Sequence, residues 1–484
     1  MASATGSATA SGSGRGTTST LVEDNPYLGG PYAPVGNEVD ASNLEVIGEI
    51  PRDLDGVYLR NGPNPQHDPV GRYHWFDGDG MVHAVHFHDG RATYRNRWVR
   101  TDAFERERAA GEVQWLGIME PLAGNPTDMP LKDSSNTDLV FFNGDVLSLF
   151  YLCGAAYALD PVSLVTRGQR GFGGRMSAHA KVDEQTNELL FFDYGPRPPY
   201  LRYGVAGTDG RVTHTTDIDL PGPRLPHDMA ITDRHSILMD LPLVADPEAA
   251  KAGRHKLMFD DAMPARYGVL PRHGDGSQIR WFEAEPCYVY HSVNAWEQGD
   301  EVVLDLCRVT KPEPRVDAEG PIAKLLSYLR LDAHLYRYRF NLRTGATHEE
   351  YLDDDNTEFP SIDLSRVGRP NRYAYNVHIS PEPTLLFDGI VKYDVVTGTD
   401  TRWWCGPGRW ASESPFAPRA NAVSDDDGYL VSFVYDQLED RSEVVILDAA
   451  DIAAGPVARV LLPQRVPIGF HATWVPGWKL PATS

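Results

Sequence analysis

The chain has 484 residues, 41% of them hydrophobic, and a formal net charge of −23. That length predicts one large or two medium domains, and the apolar fraction is enough for a sizeable core. The acidic balance argues against a nucleic-acid partner, because phosphate binding requires a basic face.

The chain opens on "MASATGSATASGSGRGTTST", a Ser/Gly/Thr-rich stretch without an apolar segment. It reads as a disordered tail over residues 1–24 rather than a secretory signal. A single domain is predicted from 25 to 484, beginning near "NPYLGGPYAPV". From there one pattern recurs: a β-rich run, a turn pair, a second β-rich run. It is seen around Asp89–Gly90, Asn143–Gly144, Gly345 and Gly428. Asn-Gly and Asp-Gly supply the positive φ of tight hairpin turns. Helical patterns are scarce; the best are "DAFERERAAGEV" (102–113) and "GPIAKLLSYLRL" (320–331). The leucines of the second, with Lys324 and Arg330, suit packing on a sheet or resting on a membrane surface. No apolar run approaches the ~20 residues of a membrane span. Cys153, Cys287, Cys307 and Cys405 lie far apart with no C-x-x-C pair, which predicts reduced thiols in a cytoplasmic protein. So many hairpins without a linker predict an all-β domain: a β-propeller, which hides its sheet edges by radial repetition, or a pair of β-sandwiches. No clean repeat period fixes a blade count, and no motif specifies an oligomeric state.

Four histidines share one setting, at or just before a strand-like run and beside small or apolar residues: His179 in "MSAHAKVDE", His227 in "RLPHDMAITD", His291 in "YVYHSVNAWE" and His471 in "PIGFHATWVP". No two are close enough in sequence to bind a metal as a local pair. A propeller would bring distant strand starts together on its axis. A rival cluster stands in "MVHAVHFH", where His86 and His88 share a strand face and His83 lies nearby. Spacing alone does not choose between them.

The motifs resemble the carotenoid cleavage oxygenase family over residues ~25 to 476: "LEVIGEIPRDLDGVYLRNGPNPQ", "YHWFDGDGMVHAV", "SAHAKVDEQTNEL", "HDMAITD", "HSVNAWE", "EFPSID", "SPFAPR" and "GFHATWVP", in the family's order. The resemblance implies a seven-bladed β-propeller with a few helices and loops capping an axial Fe(2+). It implies His179, His227, His291 and His471 as the iron ligands. It also implies Glu358 and Glu413 as carboxylates behind the imidazoles, with "HWFDGDGMVHAV" as scaffold. A third glutamate of the family falls on Leu152, so one histidine is expected to need another partner. Imidazole suits several divalent metals, so the donor set by itself does not name iron.

The implied activity is O2-dependent scission of a C=C bond in a carotenoid or apocarotenoid, an apolar conjugated substrate, giving two carbonyl products. Family members that cleave stilbenoids or phenylpropenoids grip a phenol with Tyr and Lys. The matching positions here are Met119 and Tyr151, which favours a polyene, whereas the C-terminal region is similar to bacterial lignostilbene-type enzymes. The second reading is therefore a stilbenoid or phenylpropenoid dioxygenase, and a third is a propeller that binds apolar ligands without catalysis.

Overall fold

The Asp89–Gly90 and Asn143–Gly144 pairs form the turns expected of them. Strands Met81–His88 and Arg91–Trp98 meet at Asp89–Gly90, and Asp138–Phe142 and Asp145–Leu149 meet at Asn143–Gly144. All four turn residues have positive φ, which matches the twist of the flanking strands. In the computed structural model, which describes residues 25–251, 256–312 and 331–480, such hairpins build seven antiparallel sheets of four to six strands. These are the blades of a seven-bladed β-propeller. The sandwich alternative is excluded, and the blade count, which the sequence pattern left open, follows from the pairing.

The chain's two ends close the ring. Ala472–Pro476 pairs with Gly56–Arg60 to complete one blade, and Val46–Gly48 pairs with Pro456–Leu461 at the outer edge of the neighbouring one. Apolar residues fill the spaces between blades. Val57, Leu59 and Val475 of the closing blade pack against Leu139, Val146 and Leu159 of the next. Their removal from water is the main force holding blade to blade.

Among the described residues there are two α-helices. The predicted one is found as Asp102–Ala110, capped by the Thr101 side chain, which accepts from the Phe104 N–H, and ended by Gly111 at φ 72°. The tail 1–24 and the predicted helix 320–331, apart from Leu331, lie outside the described residues. Gly428 is not a turn residue. It is the first residue of strand Gly428–Asp436, and a Cβ there would come 2.5 Å from the Phe416 ring. The four cysteines are buried and free. Among the described residues no helix is long and apolar enough to cross a membrane.

The innermost strands are Asp138–Phe142, Lys181–Asp183, Ala230–Ile231, Tyr288–Gln298, Thr357–Ser361, Phe416–Pro418 and Ala472–Pro476. Asp183 ties three of these blades together. Its fully buried carboxylate accepts from Arg272 at 2.7 Å and from Arg369 at 2.9 Å. Burial works against its charge, but the two guanidiniums prevail and hold its pKa at about 2. The folded value lies below the ordinary ~3.9 of an unfolded aspartate, so this stabilisation is present above about pH 4 and is lost as pH falls through 2. Asp183→Asn is expected to cost about 3 kcal/mol at pH 7 and to flatten the acid limb of stability. Urea melts of both proteins between pH 7 and pH 2 measure this; parallel acid limbs would remove Asp183 from the account.

Candidate metal centre

Each innermost strand delivers one side chain toward the axis near its start. His179 precedes Lys181–Asp183, His227 precedes Ala230–Ile231, His291 lies within Tyr288–Gln298, and His471 immediately precedes Ala472–Pro476. The other three blades deliver carboxylates. Asp138 opens Asp138–Phe142, Glu358 is second in Thr357–Ser361, and Glu413 comes just before Phe416–Pro418.

Backbone irregularities aim these groups. His179 sits at φ +64°, a left-handed conformation that costs energy for a residue with a Cβ. The pairing of Tyr288–Gln298 slips between Val289 and Ser292, which leaves His291 in a bulge. A second slip follows Glu358, where Phe359 has φ 47°. His471 is pinned on both sides: its N–H donates to the Thr137 carbonyl at 3.2 Å, and its carbonyl accepts from Asn61 at 2.9 Å. Gly469 makes this approach feasible, since a Cβ there would lie 2.6 Å from the Asn61 oxygen.

The four rings converge. The His179 centroid is 4.8, 5.0 and 4.6 Å from those of His227, His291 and His471. His291 lies 5.3 Å from His227 and 4.5 Å from His471. Ring nitrogens of His179, His291 and His471 come within 4.8 Å of one another, and His227 stands just outside that tightest set. All four are buried. Nε2 of His179 and of His291 has no hydrogen-bond partner among the described residues. Each such orphan costs about 1–3 kcal/mol. Burial, reinforced by the neighbouring imidazoles, holds His227 and His291 well below the ordinary histidine pKa, and burial also lowers His179. These rings are therefore neutral, the form that ligates metal. His471 departs upward: burial opposes its charge, but the adjacent Glu413 prevails. Two buried ring nitrogens with no hydrogen-bond partner, within a cluster of four imidazoles, fit a divalent ion.

Carboxylates stand behind three of the rings. Glu358 Oε2 bonds His291 Nδ1, and Glu413 Oε2 lies 3.2 Å from His471 Nδ1. Asp138 Oδ2 lies 3.3 Å from His179 Nδ1 and accepts the His179 backbone N–H at 3.1 Å. A partner on Nδ1 fixes the tautomer and turns Nε2 inward. Asp138 is absent from the sequence-based candidates. It supplies the third carboxylate, while Leu152 packs in an apolar cluster with Phe150 and Met176. His227 lies between two tyrosines, its centroid 5.7 Å from Tyr151 and 5.1 Å from Tyr290.

The rival cluster does not assemble. His83 is buried, with Nδ1 2.8 Å from the Tyr94 hydroxyl, while exposed His88 pairs with Asp55. The imidazoles instead stand between two cavities. One is walled by Trp75, Phe76, Tyr151, Phe359 and Phe470, with Leu331 and Leu385 and with His227 and His291 in its wall. The other, about 180 Å³, runs along the axis past Asp138, Lys181, Asp228 and Glu413.

Residues 32–476 match the family described as RPE65, retinal pigment epithelial membrane protein. The chain belongs to the RPE65/carotenoid cleavage oxygenase family. Within it, a carotenoid 9,10(9',10')-cleavage dioxygenase of Crocus sativus is 37% identical over 489 residues, covering 93% of this chain and 89% of that protein. The crystal structure of Pseudomonas brassicacearum lignostilbene dioxygenase superposes with a TM-score of 0.85 at 28% identity, covering 94% of this chain and 99% of the other. A cobalt-substituted Synechocystis ACO superposes with a TM-score of 0.82 at 27% identity, covering 94% and 99%. In this RPE65-family chain the axial histidines and the aromatic cavity adjoin directly.

Proposed function

We propose that this family member is a non-haem Fe(II) dioxygenase that uses O2 to cleave one C=C bond of a carotenoid or apocarotenoid. The observation that carries this reading is the cluster of four buried imidazoles, two with unpartnered Nε2 atoms, of which His227 and His291 stand in the wall of an aromatic pocket. His179, His227, His291 and His471 would hold the ion, with Asp138, Glu358 and Glu413 behind them. Bound Fe(II) would supply O2 activation. Four neutral ligands leave the ion's double charge intact, and the carboxylates offset it without occupying coordination positions.

The chain's own part is positioning and water exclusion. Trp75, Phe76, Tyr151, Phe359 and Phe470 offer ring faces to a conjugated chain and no charged group to hold water. Both oxygen atoms end in the products. The C=C and O–O bonds break and two C=O bonds form, so no reductant and no protein acid or base is consumed. A cytoplasmic protein that meets membranes peripherally, where polyenes dissolve, belongs to the same proposal.

The stilbenoid or phenylpropenoid reading keeps its own support in the 0.85 TM-score to a lignostilbene dioxygenase. Aerobic incubation of iron-loaded protein with an apocarotenal, and separately with resveratrol, decides between them by product mass. The proposal expects two carbonyl fragments from the apocarotenal, both labelled from ¹⁸O2. Cleavage of resveratrol alone moves the assignment to the second reading. Protein that takes up no iron and cleaves neither is a non-catalytic binder.

A further inference from the structure

The histidine cluster separates two cavities of opposite character. Besides its histidines, the aromatic pocket presents only apolar and aromatic side chains and Thr137. The axial cavity is charged. At its deep end are His179, His291, His471, Asp138 and Glu413. Across it Lys181 Nζ lies 2.7 Å from Asp228 Oδ1, a carboxylate 1% exposed and held by the Ser292 N–H at 2.7 Å and hydroxyl at 2.6 Å. Toward solvent, Lys479 Nζ meets Glu184 Oε1 at 2.5 Å, both side chains about a quarter exposed. Four carboxylates thus share this cavity with two ammonium groups.

We propose that this axial cavity is the intake route for the divalent metal ion and that the Lys181–Asp228 ion pair is its gate. The inference rests on the metal-centre reading above. A hydrated dication cannot cross the aromatic pocket without shedding its waters against a wall whose only side-chain oxygens are the hydroxyls of Thr137, Tyr151 and Tyr290, with no carboxylate in return. Along the axis it can exchange water for carboxylate step by step, and the negative wall raises its local concentration. Lys181 opposes that passage with its own charge until it swings away from Asp228. Substrate and metal therefore reach the imidazoles from opposite sides.

The test follows Co²⁺ uptake by chelator-stripped full-length protein, read as visible absorbance against time, with bound metal measured at the endpoint. Val140 lines the cavity two residues along the strand from Asp138, so both project to the same face. Val140→Trp is expected to slow uptake at least about tenfold with an unchanged endpoint, and Lys181→Met to speed it about fivefold. Leu385→Trp, in the aromatic pocket, is expected to load at the wild-type rate. Wild-type uptake by Val140→Trp, or equal slowing by Leu385→Trp, overturns the route. If Val140→Trp does not fold by circular dichroism, Lys181→Met decides, and an unchanged rate overturns the gate. Wild-type protein that binds no Co²⁺ at any time overturns the metal centre itself, and this inference with it.

Discussion

His291→Ala is expected to purify with under a tenth of an equivalent of iron and to lose turnover by on the order of 10³-fold or more. The His291 ring stands within 5.3 Å of all three other rings, and its Nε2 is one of the cluster's two unpartnered ring nitrogens. Its removal also strands Glu358, which burial already pushes well above the usual carboxylate range. That carboxyl takes up a proton rather than standing charged and alone, so the propeller still folds. Metal analysis, product assay and circular dichroism together measure the outcome. A variant that keeps one equivalent of iron and normal turnover would falsify the ligand role. The same result is expected for His227→Ala, whose ring completes the cluster from the aromatic side.

Asp138→Ala is expected to weaken metal affinity by about 10- to 100-fold, the range typical of groups that orient a ligand without touching the metal. One carboxylate oxygen holds both the His179 ring nitrogen and the His179 backbone N–H. Alanine releases a residue already strained at φ +64°. Asp138→Asn keeps an oxygen that can accept and should recover much of the affinity, which a purely structural role would not predict. Competition with a coloured chelator reads the difference, and equal affinities in all three proteins would dismiss the role. Leu152→Glu is expected to act on stability. It would place a carboxyl at the partly buried edge of the cluster that includes Phe150 and Met176, at a cost of about 1–2 kcal/mol in urea melts, and add nothing at the axis.

The histidines were legible because each stands before a β-rich run beside small residues, and the family motifs singled out these four. Glu358 and Glu413 came with the motifs alone. Nothing local marks either as axial, since the slip after Glu358 is a matter of pairing between distant strands. Asp138 escaped for a related reason. "NTDLVFF" reads as the polar lead-in to a hairpin, and only the ring of blades shows that this strand starts where the histidine-bearing ones do. The alternation in "MVHAVHFH" correctly split His83 from His86 and His88, but which face was buried depended on blade packing. The glycine of "DDDGY" looked like a turn and proved to be room for the Phe416 ring, a tertiary contact no dipeptide encodes.

The seam that joins Ala472–Pro476 to Gly56–Arg60 gives the molecule a fuse. Peeling that strand away withdraws His471 while the other blades keep their internal pairing. On the proposed metal reading, mild heat or denaturant should therefore release the ion before the sheets melt, and during synthesis a ribosome-bound chain short of this strand would lack one of the four proposed donors.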